Sequence, residues 1–214
     1  MAGVLWAVPF HLVDHPLALD ALAELRDART PPPAFRAAAH RISLIVAAEA
    51  LRDLPTDAAT VATPLGPADA RIVRADIVIV PVLRAGLGMV DSILELVPRA
   101  RVGHIGLQRD EETAAASRYY SRLPPGLAAS VVLLADPMLA TGGSAVAAID
   151  IIKNAGVHAI RMMCVVAAPE GVAAMTAAHP DVHIYSPALD TRLNPRKFIV
   201  PGLGDFGDRL YGTI

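Results

Sequence analysis

The 214-residue sequence predicts an α/β fold, a parallel sheet flanked by helices. Short apolar runs recur along the chain, and several are apolar at consecutive positions, as strands covered by helices on both faces must be. Segments with helical spacing separate them, and strand, helix, strand repeats wind as parallel units. Two of the junctions place a charged residue at a strand end ahead of a glycine-bearing loop, where parallel sheets receive ligands.

In chain order, residues 16–28 (PLALDALAELRDA) and 32–55 (PPAFRAAAHRISLIVAAEALRDLP) read as amphipathic helices separated by the break RTPPP. Residues 61–73 (VATPLGPADARIV) read as an arm or hairpin. The strands are residues 76–83 (DIVIVPVL), 100–107 (ARVGHIGL), 130–135 (SVVLLA), 160–168 (IRMMCVVAA) and 181–187 (DVHIYSP). Between them lie the helical segments GLGMVDSILELVP, GGSAVAAIDIIKNAG and PEGVAAMTAAHP. In the second, Val146, Ile149 and Ile152 recur every three residues and Gly156 stops the helix. Residues 108–123 (QRDEETAAASRYYSRL) interrupt this order with a polar insertion, a functional lid or a disordered loop. Residues 194–214 hold Gly202, Gly204, Gly207 and Gly212 with no helical period, so irregular structure is expected there.

Composition narrows the function. A chain of 22.4 kDa fits one domain. Its 19 basic and 21 acidic residues give no basic field, which argues against nucleic acid and anionic lipid as partners. The 54% hydrophobic fraction and mean hydropathy of +0.45 suggest a membrane protein at first sight, yet no uncharged, proline-free run of eighteen apolar residues occurs. The segment MAGVLWAVPFHLVDHP has no basic leader, so a cytoplasmic protein is expected. The lone Cys164, within RMMCVVAAP, reads as a small buried hydrophobe and forms no metal cluster by itself. His104 and His183 read as core or edge residues of strands.

Two loops could carry chemistry. In VVLLADPMLATGGSAVAAIDII, an apolar strand ends at Asp136, and Thr141, Gly142, Gly143 and Ser144 lead into a helix. A helix start directs free N–H groups and positive dipole toward an anion, and the glycines let the backbone approach it. No lysine follows the glycines, so the nucleoside-triphosphate loop pattern is absent. An ordinary turn with Ser144 as helix cap explains the segment equally well. The second loop, VPVLRAGLGMVD, sets Arg84 at the same sheet end, where it could meet another phosphate. GLGDFG matches the dinucleotide pattern G-x-G-x-x-G, but seven residues cannot complete a strand–helix–strand unit after it.

PVLRAGLG, QRDEET, DPMLATGGS, VVAAPEG, HPDV and PGLGDFGDRLYGT, in that order, resemble uracil phosphoribosyltransferase, with similarity reaching back to HPLALDALAELRDART. The resemblance implies a type I phosphoribosyltransferase-like sheet, with N-terminal helices (1–55), a mobile β-arm insertion (108–123) and a C-terminal base-binding hood (187–214). It implies transfer of the phosphoribosyl group of 5-phosphoribosyl 1-diphosphate (PRPP) to uracil, giving UMP and diphosphate. Magnesium would travel with PRPP. By resemblance, Ala140, Thr141, Gly142, Gly143 and Ser144 cradle the 5′-phosphate, with Pro137, Met138 and Leu139 in the same loop and Asp136 on the ribose hydroxyls. Arg84 matches the diphosphate-side arginine and Arg109 the arginine of the mobile arm, both neutralising the leaving diphosphate. Ile199, Gly204, Asp205 and Phe206 match the uracil site, Asp205 also facing PRPP. A homodimer or higher homo-oligomer and activation by GTP are further implications. The chain departs from the family at Asp20 and Ala21, where a His-Lys pair is usual, at Phe198 for Tyr and at Phe206 for Ala. The alternatives are a catalytically weak regulatory relative that binds nucleotide or RNA, and a transferase for another base.

Overall fold

A computed structural model describes residues 9–109 and 116–213. The chain enters through a short strand, β1 (Phe10–Leu12), and two helices, α1 (Pro16–Arg26) and α2 (Pro32–Ala50), each begun by proline in its first turn. On α2, Phe35, Ala38, Ala39, Ile42 and Val46 are buried at the spacing of one helix face. β2 (Thr56–Thr63) and β3 (Gly66–Val73) form an antiparallel hairpin in which no residue is buried, and Leu65 at its tip is fully exposed.

The central units follow: β4 (Ile77–Leu83), α3 (Leu87–Leu96), β5 (Arg101–Val102), β6 (His104–Arg109), β7 (Ala116–Arg122) and β8 (Val131–Ala135). Next come β9 (Met138–Leu139), α4 (Gly143–Asn154), β10 (Ala159–Met163), β11 (Val166–Ala167), α5 (Pro169–Ala178) and β12 (His183–Ser186). The chain closes with β13 (Arg192–Leu193), β14 (Ile199–Val200) and α6 (Phe206–Tyr211).

The main sheet runs β1-β12-β10-β8-β4-β6-β7, with β5 also on β4. Its pairs are parallel except β6–β7. Alternate residues of β4 serve opposite cores: Ile77 and Ile79 pack with α1, α2 and α3, whereas Val78 and Val80 pack with α4 and α5. Covering both faces explains why the strand is apolar throughout.

Several boundaries differ from expectation. The run at 160–168 is two strands; between them Cys164 N–H donates to Tyr185 O at 3.0 Å and Val165 N–H to Pro137 O at 2.9 Å, and Val166 N–H at the start of β11 donates to the same Pro137 O at 3.1 Å. The run at 100–107 also divides, at Gly103, whose N–H donates to Ile79 O at 2.9 Å. The polar insertion carries β7, paired antiparallel on β6, with the Tyr119 ring lying over Gly106. The acids Asp110, Glu111 and Glu112 lie outside the described residues. The tail is not wholly irregular: it forms α6, because Asp205 accepts from Asp208 N–H at 2.9 Å and Gly212 ends the helix at φ +71°.

Candidate active site

β4 and β8 are neighbours with Pro81 opposite Ala135, so their ends deliver Arg84 and Asp136 to one edge of the sheet. After β4 the chain turns through Gly86, where a Cβ would lie 2.3 Å from Ala135 O and 2.7 Å from Val82 O. Only glycine admits this approach of loop to strand. The Leu83–Arg84 peptide is cis. Arg84 is exposed, its guanidinium 3.7 Å from Asp208 of α6, and its carbonyl accepts from the Tyr211 hydroxyl at 3.5 Å.

After β8, Asp136 N–H donates to Met163 O at 3.1 Å, and an Asp136 carboxylate oxygen accepts from Met138 N–H at 3.4 Å. β9 pairs with β11 in parallel and holds the loop against the body. The loop then passes Gly142, which stands at φ +83° with its would-be Cβ 2.9 Å from the Ala174 Cβ and 3.0 Å from Gly171 O. α4 starts at Gly143. Gly142 is its cap, without any side-chain cap bond, so Ser144 does not cap the helix as the plain-turn reading requires. A cleft of about 180 Å³ results, lined by Arg84, Leu107, Asp136, Thr141, Gly142 and Ser144 among others. Burial, with a further contribution from the charge of Asp136, pushes the Cys164 thiol up to about 12, so it is an inert buried side chain.

The C-terminal segment builds a second cavity of about 190 Å³ beside the first, lined by Met138, Ala140, Arg196, Lys197, Phe198, Ile199, Gly204, Asp205 and Phe206. Met138 and Ala140 belong to both walls. Asp205 is exposed at the cavity while it caps α6. Phe206 contributes to the wall, but its ring is 1% exposed and packs edge-on against Phe35 at 5.2 Å. The aromatic partner of that ring is Phe35 of α2. Phe198 remains half exposed on the cavity.

The C-terminal segment is anchored by residues that carry no local signature. Arg26 of α1 forks onto the Asp190 carboxylate and also donates to Gly202 O at 2.8 Å, while Gly202 N–H donates to Asp190 at 2.7 Å. Arg209 donates to Leu203 O at 2.7 Å, to Asp27 O at 2.6 Å and to Leu25 O, with its guanidinium over the Phe35 ring at 4.5 Å. Arg26 and Asp190 lie in different sequence segments and could be found only through the fold.

Arg109 is the last residue of β6, its backbone opposite Ala116, and its side chain lies outside the described residues. Asp20 pairs with Arg41 at 3.3 Å, and Ala21 is buried in the core. No group of three or more His, Cys, Asp or Glu placed to hold a metal occurs among the described residues. Nor is any helix among them long and apolar enough to cross a membrane.

Comparison with known proteins agrees with this arrangement. The family model for uracil phosphoribosyltransferase matches residues 12–213. The uracil phosphoribosyltransferase of Symbiobacterium thermophilum is 51% identical over 203 residues, 94% of this chain and 97% of that protein. That of Dictyoglomus thermophilum is 50% identical over 203 residues, 94% and 98% of the two chains. A solved protein of Aquifex aeolicus superposes with a TM-score of 0.90 at 36% identity, covering 94% of this chain and 97% of its own. A hypoxanthine phosphoribosyltransferase of Staphylococcus aureus, at 11% identity and a TM-score of 0.52 over 72% of this chain and 74% of its own, shares the fold. With a family match along nearly its whole length and half its residues identical to those relatives, the chain belongs to the uracil phosphoribosyltransferase family.

Proposed function

We propose that the chain is a pyrimidine-salvage enzyme that transfers the phosphoribosyl group of PRPP to N1 of uracil, forming UMP and diphosphate. The observation that carries this reading, together with family membership, is the pair of adjoining cavities with Met138 and Ala140 in their common wall. One suits a phosphorylated sugar and the other a small flat base.

In this reading Thr141, Gly142, Gly143 and Ser144 hold the 5′-phosphate at the start of α4, and Asp136 accepts from the ribose hydroxyls. Departure of diphosphate leaves C1′ electron-deficient, and Arg84 and Arg109 neutralise the leaving charge. Ile199 and Gly204 present the base, with Phe206 contributing backbone only and Asp205 at the boundary between base and sugar. Holding N1 in line with C1′ supplies much of the rate. Uracil presents N3–H as a donor and O4 as an acceptor, and cytosine reverses both, so fixed hood groups reject cytosine by leaving buried polar atoms unpaired. Closure of the segment around Arg109 would exclude water.

Asp136 is the one carboxylate lining the first cleft among the described residues. That donor set fits a magnesium ion carried mainly on diphosphate oxygens and water, beside Asp136, rather than a protein cage. Bound there, magnesium supplies further charge neutralisation on the leaving group.

The β2–β3 hairpin supports assembly as a homodimer or higher homo-oligomer, since a two-stranded ribbon with no buried residue is marginal alone and a second copy of the chain would cover it. GTP activation and a cytoplasmic location complete the proposal. The test is purified protein with PRPP, magnesium and each of uracil, cytosine, hypoxanthine and 5-fluorouracil, with and without GTP. UMP formation from uracil, with cytosine and hypoxanthine inert, is expected. Retained PRPP binding without UMP at high enzyme concentration would refute catalysis.

A further inference from the structure

The loop read above as the 5′-phosphate cradle has neither lysine nor arginine between Thr141 and Ser144. A dianion held there meets backbone N–H groups and hydroxyls but no full positive charge from the loop itself. The nearby β13–β14 hairpin carries a lysine in an unusual setting. Lys197 has φ +66° and is the one non-glycine residue with positive φ among the described residues. A side chain is disfavoured in that region, where glycine sits freely.

The turn itself does not need the lysine side chain. Asn194 Oδ1 accepts from Arg196 N–H at 2.9 Å and Phe198 N–H at 3.0 Å, and Asn194 O accepts from Lys197 N–H at 2.8 Å. These are bonds to backbone groups, which glycine at 197 would satisfy without strain. What the lysine adds is position. It lines an open recess of about 630 Å³ together with Thr141, Glu170 and Arg192, and it also lines the hood cavity that contains Ala140. Thr141 in turn lines the first cleft. Lys197 therefore stands between the base cavity and the outer side of the phosphate loop. Glu170 fixes the hairpin there: its carboxylate accepts from Leu193 N–H at 3.0 Å. That bond is the main reason its carboxyl lies below the usual range, and the Lys197 charge contributes.

We propose that Lys197 is a substrate-binding residue that supplies, from the hairpin, the cation absent from the phosphate loop, and that its partner is the 5′-phosphate common to PRPP and UMP. This rests on the reading of residues 141–144 as the phosphate cradle. A long, mobile ammonium stem suits a phosphate that must enter and leave, and it contributes equally to ground and transition states.

The test measures UMP affinity by calorimetry and steady-state kinetics in the full-length enzyme. Lys197→Gln is expected to raise the UMP Kd and the PRPP KM about fivefold, as for a solvent-screened ion pair, with the effect shrinking as salt rises. kcat and inhibition by diphosphate stay unchanged, and Lys197→Arg restores UMP affinity. Lys197→Gly is expected to show the same loss with a raised Tm, which excludes damage to the fold as its cause. Unchanged UMP affinity in Lys197→Gln and Lys197→Gly overturns the proposal, as does a loss confined to diphosphate. Thr141→Ala separates the two readings: weaker UMP binding there, with none lost in Lys197→Gln, removes the lysine role alone. No loss in either variant removes the cradle as well.

Discussion

Arg26 and Asp190, 164 residues apart in the chain, meet as a forked ion pair with N–O distances of 2.6 and 2.9 Å. Asp190 is nearly buried, and the same carboxylate takes the Gly202 N–H. The pair clamps the loop at Gly202 to the first helix. Asp190→Ala leaves the Arg26 guanidinium and the Gly202 N–H without that partner, and a loss of about 3 kcal/mol in unfolding free energy is expected by denaturant titration. If the second cavity takes uracil as proposed, uracil binding should weaken with it, since the loop that lines that cavity loses its anchor.

Asp136→Asn and Arg109→Ala test the assigned chemistry. Each is expected to lower kcat/KM about 100-fold in the uracil reaction while preserving a cooperative melt. Full activity in either variant would withdraw that residue from the mechanism.

Phe206→Ala distinguishes a core residue from a base contact. The ring fills space between Phe35 and the α6 side of Gly88, so its removal should cost about 3 kcal/mol in stability. The ratio of activities on uracil and cytosine should stay unchanged, as measured below the melting transition.

His11 gives a pH signature at the sheet edge. Its ring stacks on Tyr185 at 4.6 Å and on His183 at 4.9 Å, and its Nε2 lies 2.6 Å from His183 Nδ1. Desolvation first, then the neighbouring His183 and the Arg161 charge, lowers its pKa, against an opposing pull from Asp53. The fold therefore favours the neutral ring. Its stabilising contribution is complete above the unfolded-state value near 6.5 and is lost as pH falls from there through the lowered folded value. Urea unfolding between about pH 5 and 7.5 should show this slope, and His11→Gln should flatten it.

How far the sequence could be read depended on the distance between partners. The IVIVPVL strand announces burial on both faces by itself, and the α4 period is visible within twelve residues. The three-residue β1 has no such pattern, because only its parallel register on β12 makes it a strand. α6, six residues long, is too short to display a period among glycines and acids. Its cap, Asp205, and its stop, Gly212, were the signals available. For the site, Arg84, Asp136 and the Thr141–Ser144 loop stood out because strand ends and glycines mark them locally. The cores that receive the Phe206 ring and the clamp at Asp190 are tertiary facts, invisible in any window of sequence.

The pairing of β4 with β8 makes the sheet a gauge. Arg84 and Asp136 leave neighbouring strands, whose separation of about 4.8 Å is fixed by main-chain hydrogen bonds and owes nothing to side-chain identity. Substitution in the C-terminal segment can therefore proceed without altering the interval between the two strand ends. A solved hypoxanthine phosphoribosyltransferase with 11% identity keeps this fold, as a spacing set by the main chain and not by side chains permits.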